Sequence, residues 1–162
     1  MPSRQKKFQF FPFLICLLIA LSAGAIGGLF TSQSVDIWYK TINKPSFTPP
    51  DAVFGPVWST LFTMMGIASY LVWRRRKKVF GYSWALVVYI LQLVLNIMWS
   101  FLFFYQHQLG LAVIEVGVFL LTIIINALIF YRISKVAGLL FIPYILWVGF
   151  ASYLTYSIFI LN

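Results

Sequence analysis

The sequence predicts an all-α integral membrane protein, a bundle of five transmembrane helices. Three observations carry this. Hydrophobic residues make up 62% of the 162-residue chain and charged residues 9%, with a mean hydropathy of +0.92; a soluble fold needs roughly a quarter of its residues charged to clothe its surface. The apolar residues gather into five runs, each near or above the roughly 18 residues that a helix needs to cross a bilayer. The charges fall almost entirely between those runs. The chain is one domain, 1–162, with spans expected at about 8–30, 54–73, 81–105, 109–131 and 137–161.

The first span opens on a basic stretch (RQKK) and passes small residues at Ser22-Ala-Gly-Ala. That resembles a cleavable signal, but the run continues through Phe30, too long for one, and predicts a retained helix. Cys16 is the single cysteine, so no disulfide forms within the chain, and a buried thiol acts as a small hydrophobe. Gly24-x-x-x-Gly28 is a close-packing motif, within the bundle or between copies.

The 31–53 connector follows. Its SVDIWYKTI stretch suits a short interfacial helix, and KPSFTPPDAVFGPVW (44–58) holds four of the seven prolines. Proline fixes its own φ and pushes the residue before it toward extended backbone, so the loop is stiff. Asp51 is a candidate cap for the second span, and Pro56 moves the expected start of regular helix to near Gly55. The functional reading of the loop is a lid over the outer end of the bundle; the plain one is a stiff connector. The last three spans are separated by short loops, and no repeat of 20–50 residues is visible.

Net charge is +9, yet its placement points to topology and lipid headgroups, not nucleic acid. Of the 12 Lys and Arg, all but Lys40 and Lys44 fall on the N-terminal side: Arg4, Lys6, Lys7, the Arg74–Lys78 run, Arg132 and Lys135. The positive-inside rule then places the N-terminus in the cytoplasm and the C-terminus on the opposite side. The cell (inner) membrane is favoured, with outer or organelle membranes as alternatives. Trp38, Tyr39, Trp73, Tyr82, Trp84 and Tyr105 near the span ends suit an interfacial belt.

Polar side chains inside a bilayer are expensive and turn toward the bundle interior or a cavity. Gln92, Asn96 and Trp99 share one face of the third span. Glu115, Thr122 and Asn126 share one of the fourth. Tyr144, Trp147 and Ala151 share one of the fifth, beside Pro143, and Pro56, Trp58 and Phe62 open the second. Converging, these faces make an aromatic cavity with a few polar points; apart, Gln92 and Asn96 glue helices together and the indoles are core. Glu115 is expected to pair structurally. His107 is expected to be a solvated loop histidine, and no His/Cys cluster suggests a metal site. No nucleophile–His–acid set or phosphate loop is present.

WYKTINKPSFTPPDAVFGPVW resembles the TspO/MBR family of translocator proteins, also called tryptophan-rich sensory or peripheral benzodiazepine receptor-like proteins. LQLVLNIMWSFLFF (91–104), GLAVIEV (110–116) and LLFIPYILWVGFASYLTYSIFILN (139–162) extend the resemblance in order, over about 28–162. Where the family usually has Trp, this chain has Phe47, which keeps the ring and loses the indole N–H. The resemblance implies a five-helix homodimer that binds tetrapyrroles (protoporphyrin IX, haem), isoquinoline carboxamides and, in some members, sterols. It implies a ligand site of Tyr39, Phe47, Pro49, Trp58, Asn96, Trp99, Tyr144 and Trp147. It also implies that Trp58 and Trp147 would be the reactive pair if porphyrin is degraded in light, with no cofactor or metal required. The family's sterol motif needs a basic residue after a fifth-span tyrosine, and none follows Tyr153 or Tyr156; Leu128–Tyr131–Lys135 is a weak match elsewhere. Three function classes follow: a porphyrin sensor, a light-dependent porphyrin-degrading enzyme, and a tetrapyrrole or sterol transporter.

Overall fold

The computed structural model describes residues 8–77 and 80–162. Arg4, Lys6, Lys7 and Lys78 therefore lie outside the described residues. Among those described there is helix and no strand: α1 (Phe10–Ser32), α2 (Trp38–Thr41), α3 (Asp51–Trp73), α4 (Tyr82–Ser100), α5 (Leu109–Ile133), α6 (Lys135–Leu139) and α7 (Ile142–Leu161). Five stretches are long and apolar enough to cross a membrane. They are α1, α3, α4 with its continuation to Tyr105, α5, and α6 with α7. The protein is thus a multi-pass integral membrane protein.

α3 begins at Asp51, earlier than Pro56 suggested. Pro50 stands at the cap position with extended backbone, Asp51 is the first helical residue, and no side chain caps the end. Pro56 sits inside the helix. It removes one hydrogen bond, that to the carbonyl four residues before it, and the apolar packing beyond it holds the helix regardless. α2 is a single turn, shorter than the interfacial helix the sequence suggested.

α1 packs against α3 and α4, while α5 lies against α4, α6 and α7. The α1–α3 contact depends on glycine. A Cβ on Gly24 would lie 2.5 Å from the Phe62 ring, and one on Gly66 would lie 2.8 Å from the backbone of Leu17. One turn on, Gly28 has nothing within 4 Å of that position. The glycine pair therefore divides, Gly24 packing within the bundle and Gly28 facing open space. The core runs through Met65, Phe119, Ile123, Phe141, Tyr144 and Val148, with Tyr89 and Phe130 stacked at 5.6 Å toward the basic end. At that end Arg75 donates to the Ile133 carbonyl, and Arg76 lies 3.6 Å over the Trp73 ring.

At the opposite end α4 runs into a π-helical turn, Phe101–Tyr105, in which the Gln106 N–H reaches the Phe101 carbonyl. The wider turn buries Phe103 and Phe104 side by side. The connector docks on them: Trp38 meets Phe103 at 5.7 Å and Tyr39 meets Phe104 at 5.6 Å. His107 is more than a solvated loop residue. It holds a left-handed φ of 54°, stacks on Trp38 at 4.1 Å and hydrogen-bonds the Ser34 hydroxyl at 2.8 Å. A second clasp joins the connector to the end of α7. The Asn43 N–H donates to Asn162 Oδ1, and Asn162 Nδ2 donates back to the Asn43 carbonyl, both at 2.9 Å.

The divided glycine pair is testable. Gly24→Ala drives a methyl into the Phe62 ring and is expected to destabilise by about 1–3 kcal/mol, lowering the melting temperature in detergent. Gly28→Ala should leave it unchanged or slightly raised. Equal losses from both would refute the assignment.

Candidate functional site

A cavity of about 710 Å³ opens between α1, the connector, the start of α3 and the end of α4. Each wall follows from local sequence. On α1 the wall is mostly small or hydroxylated: Gly24, Ala25, Gly27, Gly28, Thr31 and Ser32, with Leu21 beside them. On α3 it is Ala52, Phe54, Gly55, Trp58, Ser59 and Phe62, successive turns of one face. α4 and its π turn supply Asn96, Trp99, Ser100 and Phe104, and the connector supplies Val35, Asp36 and Tyr39. Asp51 stands with the connector residues at the outer edge.

Four of the residues expected from sequence therefore meet at one wall: Tyr39, Trp58, Asn96 and Trp99. The other four stand apart from it. Tyr144 is fully buried behind Asn96. Trp147 lies behind Phe54, ring centroids 5.7 Å apart. Phe47 stacks on Tyr153 at 5.2 Å on the far side of the connector, and Pro49 is absent from the lining. The physical reason lies in α7, which packs on α5 and sends Tyr144 to Asn96 and Gln92 of α4 and Trp147 to Phe54 of α3, so the cavity forms on the α1–α3 side. Sequence reasoning missed the α1 wall, Phe54 and Phe104. The signal for α1 was present in Gly24, Gly28 and Thr31/Ser32, spaced at three to four residues along one helix face.

Behind the wall runs a buried chain of side chains. Asn96 Nδ2 donates to the Tyr144 hydroxyl at 3.1 Å, which donates to Gln92 Oε1 at 3.0 Å. Gln92 Nε2 reaches Met65 Sδ at 3.6 Å. Gln92 is fully buried and Asn96 is 4% exposed. Helix glue and cavity lining are thus both present: Gln92 does the first and Asn96 does both. Several buried polar atoms have no partner among the described residues: Trp99 Nε1, Trp147 Nε1, both Glu115 carboxyl oxygens and both amide atoms of Asn126. The expected structural pairing of Glu115 is not formed.

At the outer edge, burial and then the Asp51 carboxylate push the Tyr39 phenol from its ordinary 10.0 up to about 12. Lys44 lies 4.6 Å from the centroid of the same ring and donates to the Tyr39 carbonyl. Asp36 pairs with Lys40 at 2.6 Å across one helical turn.

Five membrane-spanning helices, with an aromatic cavity between α1, the connector, the start of α3 and the end of α4, make a small multi-pass membrane protein. The sequence matches the TspO/MBR family over residues 15–161, and the chain belongs to that family. It is 37% identical to the tryptophan-rich protein TspO of Chlorobaculum tepidum, over 95% of this chain and 98% of that one. It is 36% identical to the tryptophan-rich protein TspO of Archaeoglobus fulgidus, over 90% and 94%. To the translocator protein of Sus scrofa it is 34% identical, over 83% and 82%. Membership supports a sensor or transporter role at the membrane.

Two measurements follow. Tyr144→Phe leaves Gln92 Oε1 and Asn96 Nδ2 without their partner in a buried setting, at about 1–3 kcal/mol per orphaned group. A clear drop in melting temperature is expected, and no drop would refute the chain. Tyr39 has its folded pKa above its unfolded one, so it binds its proton longer in the folded state. Its stabilising contribution is full below pH 10 and is lost as pH rises through about 12. An ultraviolet titration should show one tyrosinate transition near 12 that Tyr39→Phe removes.

Proposed function

We propose that this protein is a membrane receptor for tetrapyrroles, protoporphyrin IX and haem among them, and for similar flat apolar ligands, which it holds between α1 and α3. The observation that carries this is the cavity's wall: Phe54, Trp58, Phe62, Trp99 and Phe104 on one side and the mostly small α1 residues, Gly24, Ala25, Gly27 and Gly28 among them, on the other. Ligand sites of this kind are concave and mostly apolar, with a few polar groups for orientation, and occupy about 300–1,000 Å³. Stacking on the indoles adds affinity beyond area alone, and the α1 glycines leave a flat surface against which a planar ligand lies.

Sensing is favoured over enzymatic photodegradation by one placement. The reactive pair implied by family resemblance is Trp58 and Trp147, and only Trp58 borders the cavity. A tryptophan one ring removed, behind Phe54, is poorly placed for direct contact with a bound ligand. The lid suits a receptor whose ligand state is reported at the outer surface, because Tyr39 touches the cavity while its neighbours Trp38 and Lys40 lie on the connector.

The test is a dark titration of detergent-purified protein with protoporphyrin IX, followed by tryptophan fluorescence. Saturable quenching is expected. Gly28→Leu, which fills the open side without a neighbour to strike, should weaken binding at least about tenfold, since four carbons displace that much apolar contact. Trp58→Phe should reduce the quenching amplitude with a smaller change in affinity. Quenching that never saturates, or that Gly28→Leu leaves unaltered, would refute the site.

A further inference from the structure

Toward the outer end of the bundle the α1–α3 contact comes apart. At Gly24 and Gly66 the two helices touch so closely that a methyl would not fit. Further out, neither Gly28 nor Gly55 has anything within 4 Å of its Cβ position. The helices thus splay toward their outer ends, and the gap between them is edged by small residues. Ala25, Gly28 and Ser32 form the α1 lip, and Ala52, Gly55 and Ser59 the α3 lip, each set spaced by three and four residues along one helix face. All six line the cavity, and all six are exposed at the molecular surface. The gap runs about 10 Å along α1 from its outer end, between two helices apolar enough to cross the membrane. It is a side opening, and it faces lipid.

The outer end of the cavity is tied shut by comparison. Trp38 and Tyr39 pack on Phe103 and Phe104, His107 bonds Ser34, and Asn43 and Asn162 clasp each other twice. The α3 lip is held less firmly. Pro56 has no N–H for the carbonyl of Ala52, so the Asp51–Gly55 turn lacks a tie to the helix below it. Its ring contact is Phe54 on Trp147. An apolar ligand concentrates in the bilayer and so meets the side opening first. We propose that ligand enters and leaves the cavity sideways, from the outer half of the bilayer through this slot. The Asp51–Gly55 turn, hinged at Pro56, is the moving lip, and the connector stays docked. This rests on the cavity being the ligand site. Small lips let a flat molecule pass edge-on. The hydroxyls of Ser32 and Ser59 each donate to a carbonyl of their own helix, so neither lip holds out an unpaired hydroxyl proton to a lipid-dissolved ligand.

The experiment follows protoporphyrin IX in the dark, with the protein in lipid nanodiscs. Association is read from tryptophan quenching in stopped flow, and dissociation by chasing with excess empty vesicles. Gly55→Leu narrows the slot at a position with nothing beside it. It should slow association and dissociation together by at least about tenfold, the scale of a modest steric barrier. A change that only spoiled the fit would speed dissociation instead. Pro56→Ala alters no wall residue, returns the missing N–H, stiffens the lip, and should slow both rates in the same sense. Asn43→Ala/Asn162→Ala unties the connector and should leave both rates unchanged. Faster dissociation from Gly55→Leu would overturn the slot. Rates unaltered in Pro56→Ala would overturn its moving lip, and both rates rising when the clasp is cut would put the route at the connector. Saturable binding leaves the site standing in each of these cases, whereas no saturable binding by the unaltered protein would remove site and route together. Pro56→Ala and the clasp variant decide the question even if Gly55→Leu fails to fold.

Discussion

Tyr144 has one proton to give, and it gives it to Gln92. This donation orders the middle of the molecule. In hydrocarbon a polar side chain without a partner is costly, so Gln92, Tyr144 and Asn96 must be satisfied by one another. Because the hydroxyl is committed, the amide of Asn96 can stand only one way round, and its oxygen is delivered to the cavity. The same bonds tie α4 to α7, which turns the aromatic face of α7 inward and leaves the α1–α3 side to open. The interior and the site are two faces of one hydrogen-bonded chain.

Glycine performs the complementary task on the other wall. Gly24 and Gly66 let α1 and α3 approach until a methyl would not fit, and Phe62 at that contact stacks at 5.7 Å on Trp58, one turn before it on the same helix. Beyond Gly24, α1 presents the small residues Ala25, Gly27 and Gly28 to the cavity. The apolar side is therefore shaped by absence of side chains and the polar side by a fixed proton direction. The lid joins them, docked on Phe103 and Phe104 from the π turn and tied at His107 and Asn162.

Much of the fold was legible in the sequence, because a bilayer imposes a length and a polarity that apolar runs display directly. Helix boundaries followed within a few residues, except at Pro56. There a residue that disfavours helix interiors lost to the packing of Leu61, Phe62 and Met65 beyond it. The site was half legible. Trp58, Asn96 and Trp99 stood out because their types are conspicuous in a membrane helix, and Tyr39 came from the family resemblance alone. Tyr144 and Trp147 were equally conspicuous but face the core, since the rotation of α7 depends on pairings with α4 that a single helix does not reveal. The α1 wall was overlooked for the opposite reason: glycine and small hydroxyls look like packing, and at Gly24 they are.

The proline in α3 has a consequence beyond the bond it removes. A helix that loses one carbonyl–amide link near its start is hinged there. The turn from Asp51 to Gly55 is joined to the rest through fewer cross-ties than any turn below it, and it carries Asp51, Ala52 and Phe54 on the cavity side. Whatever fills the cavity pushes against a segment that yields more readily than the spans behind it. Strain from a bulky occupant would travel outward into the connector and not inward into the bundle. The molecule thus has a built-in direction in which to deform, toward the connector.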